Sequence, residues 1–126
     1  MEFDNQQAIY LQIADHICEH ILMGKWIEGE RIASVREMAV SIEVNPNTVM
    51  RTYSHLQDKG IIFNKRGIGY FVSEGALKEI KEMKKIVFIE SELPKLFNTM
   101  YLLNISPKEL EEKFKEFKKK KDSEAA

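Results

Sequence analysis

Between Asn45 and His55 the chain carries Asn47, Thr48, Met50, Arg51 and Ser54, and no acid. Amides, hydroxyls and a guanidinium are groups that bond to base edges and to the phosphates beside them, and carboxylates would repel the phosphates. Two further arginines fall at positions suited to an anion. Arg36 lies in the first turn of a predicted helix, and Arg66 lies beside Gly67 in a predicted hairpin loop. Other chemistries find less support. His16 and His20 have the i, i+4 spacing that can hold a metal on a helix, but no third histidine lies near and His55 is on another element. They read as two half-exposed histidines, and Cys18 as a small core or boundary residue. Gly67-x-Gly69 lacks the third glycine and the following helix of a dinucleotide loop. No nucleophile–base pair is present. An enzyme is the least favoured class, and no cofactor or metal set is expected.

The elements that must hold these groups are legible. Ser34 and Glu37 have the spacing of a capping box, and Val35, Met38, Ala39 and Ile42 follow as one apolar stripe. Asn45-Pro46 is a second helix start, because Asn caps well and Pro lacks only an N–H that would be unpaired there. In that second helix Val49, Thr52, Tyr53 and Leu56 face a core, while Asn47, Arg51 and Ser54 lie opposite, flanked by Thr48 and Met50. Two short helices with a tight turn, the second polar and acid-free on its outer side, match the docking mode of a helix–turn–helix. After Gly60 the period changes. Ile61–Asn64 and Tyr70–Val72 are β-prone and bracket Lys65–Gly69, a hairpin with two glycines in its loop. Such a wing puts Arg66 where it reaches a minor groove or a phosphate, and Gly67 lets backbone approach closely.

Together these residues resemble the winged helix–turn–helix of the GntR family of bacterial transcription regulators. The likeness is carried by Ile9-Tyr10-Leu11-Gln12-Ile13, Gly29-Glu30-Arg31-Ile32, Ser34-Val35-Arg36-Glu37-Met38-Ala39, Val44–Val49, Arg51-Thr52-Tyr53, Leu56–Gly60 and Arg66–Val72. The Asn-Pro-Asn-Thr-Val run and the short tail point to the YtrA-like branch. The resemblance implies a phosphate clamp at Arg36 and a two-fold dimer on a palindromic operator. This chain departs from the family at three turns. Glu28-Gly29 replaces a common Pro-Gly, Ala33 stands where Pro precedes Ser34, and Glu43 stands where Gly is usual. If residue 43 needs positive φ, the exchange costs on the order of 1 kcal/mol.

The rest of the 126 residues supports one small domain with an appendage. The predicted first helix runs from about Gln6 to Met23 with Ile9, Ile13, Ile17 and Ile21 in one stripe, Gly24 ends it, and Met1–Asn5 is a loose arm. From Gly75 the chain is helical again, with Pro94 kinking or breaking it and Ser106-Pro107-Lys108-Glu109 starting a last helix. Lys118–Ala126 is expected to fray. The expected architecture is therefore mainly α: an α+β winged helix–turn–helix over residues 1–73, then C-terminal dimerisation helices over 74–126. Those last stripes are too apolar to stand alone in water. Ile80, Met83, Val87, Leu96, Phe97, Met100, Leu110 and Phe114 form the expected dimer interface. The aromatic residues there read as core or interface before a ligand pocket.

Charge qualifies the picture. The formal total is −1, with seven basic and nine acidic residues before Ser73. A negative DNA-binding half is unusual. Placement matters more, since Asn45–Val72 holds Arg51, Lys59, Lys65 and Arg66 against Asp58 alone. Moderate affinity that needs both heads of a dimer follows. A single Cys18, no leader pattern and no long apolar run make a cytoplasmic protein without a membrane partner the expectation. The expected contacts to double-stranded DNA are Ser34, Arg36, Asn45, Asn47, Thr48, Met50, Arg51, Arg66 and Gly67. The expected activity is that of a dimeric repressor, with a winged-helix protein–protein adaptor as the alternative. The sequence names no small-molecule effector.

Overall fold

The computed structural model describes residues 1–125. In order, it contains α1 (Ile9–Leu22), α2 (Val35–Ile42), α3 (Pro46–Asp58), β1 (Ile62–Lys65), β2 (Gly69–Val72), α4 (Ala76–Val87), a wide-turn π segment (Phe88–Glu92), α5 (Leu93–Leu103) and α6 (Pro107–Ala125). The chain divides into two compact units, Met1–Lys84 and a second that begins at Lys85. The mainly helical architecture with one small antiparallel sheet is the one expected.

The first unit is organised on α1 and α3. Ile13, Ala14, Ile17, Cys18 and Ile21 of α1 are buried with Val49, Thr52, Tyr53 and Leu56 of α3. Burial on this scale is the main favourable term in folding. Two side-chain hydrogen bonds fix α3 on this base. Thr52 Oγ1 donates to the Tyr10 carbonyl at 2.8 Å, and Tyr53 Oη donates to the Ala33 carbonyl at 2.6 Å. Met38 and Ala39 add the inner face of α2, and Ile61, Ile62 and Val72 seal the side under the hairpin.

The capping expectations hold. Ser34 Oγ accepts from the Glu37 amide at 3.1 Å and the Glu37 carboxylate accepts from the Ser34 amide at 3.1 Å, a complete box. Asn45 Oδ1 accepts from the Asn47 amide at 2.8 Å ahead of Pro46. Glu43 sits at φ 56°, ψ 49°, in the left-handed region that its lack of glycine makes strained.

Several boundaries differ from expectation. α1 begins at Ile9, not Gln6, because the Gln12 side chain holds the preceding residues in a turn. Its Nε2 donates to the Asp4 and Gln7 carbonyls and its Oε1 accepts from the Asp4 amide. The arm is therefore tied down, and Phe3 packs on the core. The strands are shifted towards the tip, leaving only Arg66, Gly67 and Ile68 as the loop, closed by the Ile68 amide on the Lys65 carbonyl at 2.9 Å. A third segment joins the hairpin: Arg31 pairs with Phe71, and the Ile32 amide donates to the Tyr70 carbonyl. Ile80 is corrected outright. It is 1% exposed in the core of the first unit, where Met83 also packs, so it is unavailable to a partner copy.

In the second unit, Pro94 is the second residue of α5, which follows the π segment directly. A proline ring clashes with the carbonyl four residues back, and a widened turn is one way to make room. Asn104, left-handed at φ 55°, ends α5, and Ser106 Oγ accepts from the Glu109 amide to start α6. The frayed end expected from Lys118 is instead helical through Ala125, as a run of Lys and Glu without Gly or Pro permits; Ala126 lies outside the described residues.

Candidate nucleic-acid interface

Helix α3 presents the predicted face. Asn47, Met50, Arg51 and Ser54 are exposed, Thr48 is half-buried, and the opposite side of the helix is closed in the core. The face is bracketed by two tyrosines. On one flank the Arg51 guanidinium lies over the Tyr10 ring of α1, 4.0 Å from its centroid. On the other flank Tyr70 of β2 directs its hydroxyl to the Met50 sulfur at 4.0 Å. Tyr70 also meets Tyr53 edge-on, with centroids 4.9 Å apart, which ties the hairpin to the base of α3.

Arg36 is exposed at the start of α2 and borders a shallow cleft of about 300 Å³ with Ala39, Val40, Val44 and Pro46. Among the described residues it makes no ion pair. The neighbouring acid, Glu37, instead approaches Arg31 at 4.0 Å. The Ser34 amide and hydroxyl, and then Arg31, hold the Glu37 carboxyl below the usual carboxylate range. That acid is committed to the helix cap and leaves Arg36 free for an anion. Ser34 itself is half-buried, and its hydroxyl is spent on the cap. Asn45 likewise uses its carbonyl oxygen as a cap and keeps its amide nitrogen exposed.

Arg66 and Gly67 stand exposed at the wing tip, with Gly67 at φ 80°. Ile68 beside them is 60% exposed, an apolar tip residue that composition alone did not single out. Behind the tip the Lys65 ammonium sits 4.8 Å over the Phe71 ring, which stacks on Phe63. Gly69 has its own reason. At φ 140° it packs so close to Arg31 that a Cβ there would lie 2.8 Å from Nε. Tyr10, Tyr70 and Arg31 were missed as parts of this site. The second wing glycine, Gly69, is a signal for Arg31, and no spacing in the chain points to the two tyrosines.

The remaining sequence candidates are placed elsewhere. His16 and His20 approach Nε2 to Nε2 at 2.9 Å, and His20 stacks on Trp26, but no group of three or more His, Cys, Asp or Glu gathers among the described residues. Burial pushes the Cys18 thiol up to about 11, which makes it a poor nucleophile. In the second unit a groove of about 990 Å³ runs between α5 and α6, lined by Leu96, Phe97, Met100, Tyr101, Leu110, Phe114 and Phe117 among others. Phe97 is 56% and Phe114 62% exposed along it. No described helix is long and apolar enough to cross a membrane.

A two-helix turn with a free polar reading face, braced by a third helix and flanked by a β-hairpin, defines a winged helix–turn–helix protein of the DNA-binding class. Residues 9–72 match the model of the gntR family of bacterial regulatory proteins. The chain belongs to that family and is a DNA-binding transcriptional regulator, not an enzyme. It is 37% identical over 116 residues to the HTH-type transcriptional regulator YhcF of Bacillus subtilis, covering 92% of this chain and 94% of that one. It is 36% identical over 108 residues to the HTH-type transcriptional repressor YtrA of the same organism, covering 86% and 82%. The crystal structure of a GntR-family protein from Bacteroides thetaiotaomicron shares 49% identity at a TM-score of 0.73, covering 90% of this chain and 99% of that one.

Proposed function

We propose that the chain is a cytoplasmic, dimeric repressor that binds a palindromic operator through α3, with Arg36 as phosphate clamp and Arg66 at the tip of the wing. The observation that carries this reading is the outer face of α3. It offers amide, hydroxyl, thioether and guanidinium groups with no acid among them, on a helix whose other side is locked in the core. Asn47 is suited to adenine, whose edge pairs with an amide in two bonds, and Met50 to a thymine methyl. The Bacillus relative named a repressor supports that sense of regulation.

The exposed aromatic groove between α5 and α6 supports self-association over residues 74–126. Large apolar patches are rarely left to water in a monomer, and a two-fold pair would set two reading helices about one DNA turn apart. Selection of bound duplexes from a random pool tests the whole reading. A palindromic consensus is expected, with one base position relaxed for Asn47→Ala. No consensus, together with a monomer in light scattering, would favour an adaptor that binds another protein.

A further inference from the structure

Arg51 does not stand free on its helix. Its guanidinium carbon lies over the Tyr10 ring, 4.0 Å from the centroid, and among the described residues no carboxylate pairs with it. Tyr10 is itself held from two sides. Its carbonyl accepts from Thr52 Oγ1 at 2.8 Å, and its ring meets the His55 imidazole edge-on with centroids 5.9 Å apart. The same helix turn thus supplies the arginine and, one and four residues later, the groups that fix the arginine's support.

A ring under a guanidinium holds the charge without using its N–H groups, and among the described residues those of Arg51 make no hydrogen bond. An ion pair would have spent those donors. The stacking also draws Arg51 to the α1 flank, away from Met50, which leans on Tyr70 at the opposite flank. Asn47 lies between them on the open face, one turn before Arg51. A helix lying in a groove meets bases along its centre and the sugar–phosphate wall along its flanks.

Resting on the regulator reading above, we propose that Tyr10 is the positioning residue for Arg51, and that Arg51 so held grips a phosphate at the groove wall instead of reading a base. The preference for sequence then falls on Asn47, Thr48 and Met50.

The test uses the full chain and the duplex it selects from a random pool, with binding followed by fluorescence anisotropy across salt. Arg51→Ala should weaken binding roughly tenfold, flatten the plot of log affinity against log salt by about one unit per protomer, and leave the selected consensus unchanged. Tyr10→Leu should weaken binding roughly threefold and move the slope towards that of Arg51→Ala, while Tyr10→Phe, which keeps the ring face, should match the parent. In an Arg51→Ala background, Tyr10→Leu should add nothing. An equal loss from Tyr10→Leu with and without Arg51 would reduce Tyr10 to a structural role. A consensus altered at one base by Arg51→Ala would overturn the phosphate assignment. A parent chain that selects no duplex at all would instead overturn the regulator reading on which both stand.

Discussion

The Tyr53 hydroxyl donates to the Ala33 carbonyl at 2.6 Å, across 20 residues of chain, and so ties the middle of α3 to the residue that enters α2. Burial pushes its pKa up, and Tyr53 remains a donor throughout the physiological range. Tyr53→Phe leaves the carbonyl without this partner and should cost about 1–2 kcal/mol in urea unfolding. The folded variant should retain its DNA preference, because the hydroxyl faces inward. An unchanged unfolding midpoint would remove the bond from the account of how α3 is held.

Glu43 pays a backbone strain that glycine would not. At φ 56° a Cβ crowds the following carbonyl, so Glu43→Gly should stabilise the first unit by roughly 0.5–1 kcal/mol after allowing for the freer unfolded chain. A lower midpoint for Glu43→Gly would show that the turn is relaxed with a side chain in place.

Arg66 stands at the wing tip with no carboxylate partner among the described residues. Arg66→Ala should flatten the salt dependence of operator binding by about one unit per protomer and weaken binding for all duplexes alike. A gel-shift titration at three salt concentrations is sufficient, and an unchanged slope would take Arg66 out of the interface.

The α5–α6 groove predicts the assembly. A charge at Phe114, which is 62% exposed along that groove, should be harmless to a monomer and severe for a dimer that buries it. Phe114→Glu should yield a monomer by light scattering at micromolar protein and lose operator binding by on the order of 100-fold, because one head alone must then hold the DNA. A dimer that survives both Phe114→Glu and Phe97→Glu would place the contact elsewhere.

His20 predicts a pH dependence. Burial, and then the charges of His16 and Lys25, hold its imidazole below the ordinary histidine value, with Glu19 opposing. The fold therefore favours the neutral ring, and the unfolded chain takes up the proton first as pH falls. Stability should be full above about pH 6.5 and decline below it until the folded-state value is passed. His20→Gln should flatten the difference in urea midpoint between pH 7.5 and 5.5. Equal differences in the two proteins would assign that slope to other groups.

The parts of this site that sequence made legible are those set by neighbours along the chain. The Ser34–Glu37 box, the Asn45 cap and the division of α3 into core and open faces each depend on residues within about one turn. Contacts across the fold were not legible. Tyr10 and Arg51 are 41 positions apart and Arg31 and Gly69 are 38 apart, and no periodicity encodes either contact. Ile80 shows the same limit from the other side. It belongs to a good amphipathic stripe, but a stripe does not say whether its cover is the same chain or a second copy. The start of α1 reads three residues early because nothing along the chain shows that the Gln12 side chain bonds back to the backbone of Asp4 and Gln7.

The bare α-carbon at position 69 has a mechanical meaning. It opens the space that the Arg31 side chain fills, and the same guanidinium extends towards Glu37, whose carboxylate closes the first turn of α2. The tip end of β2 and the first turn of α2 therefore meet on one side chain. A side chain added at Gly69 would displace the Arg31 guanidinium and, with it, the approach to Glu37.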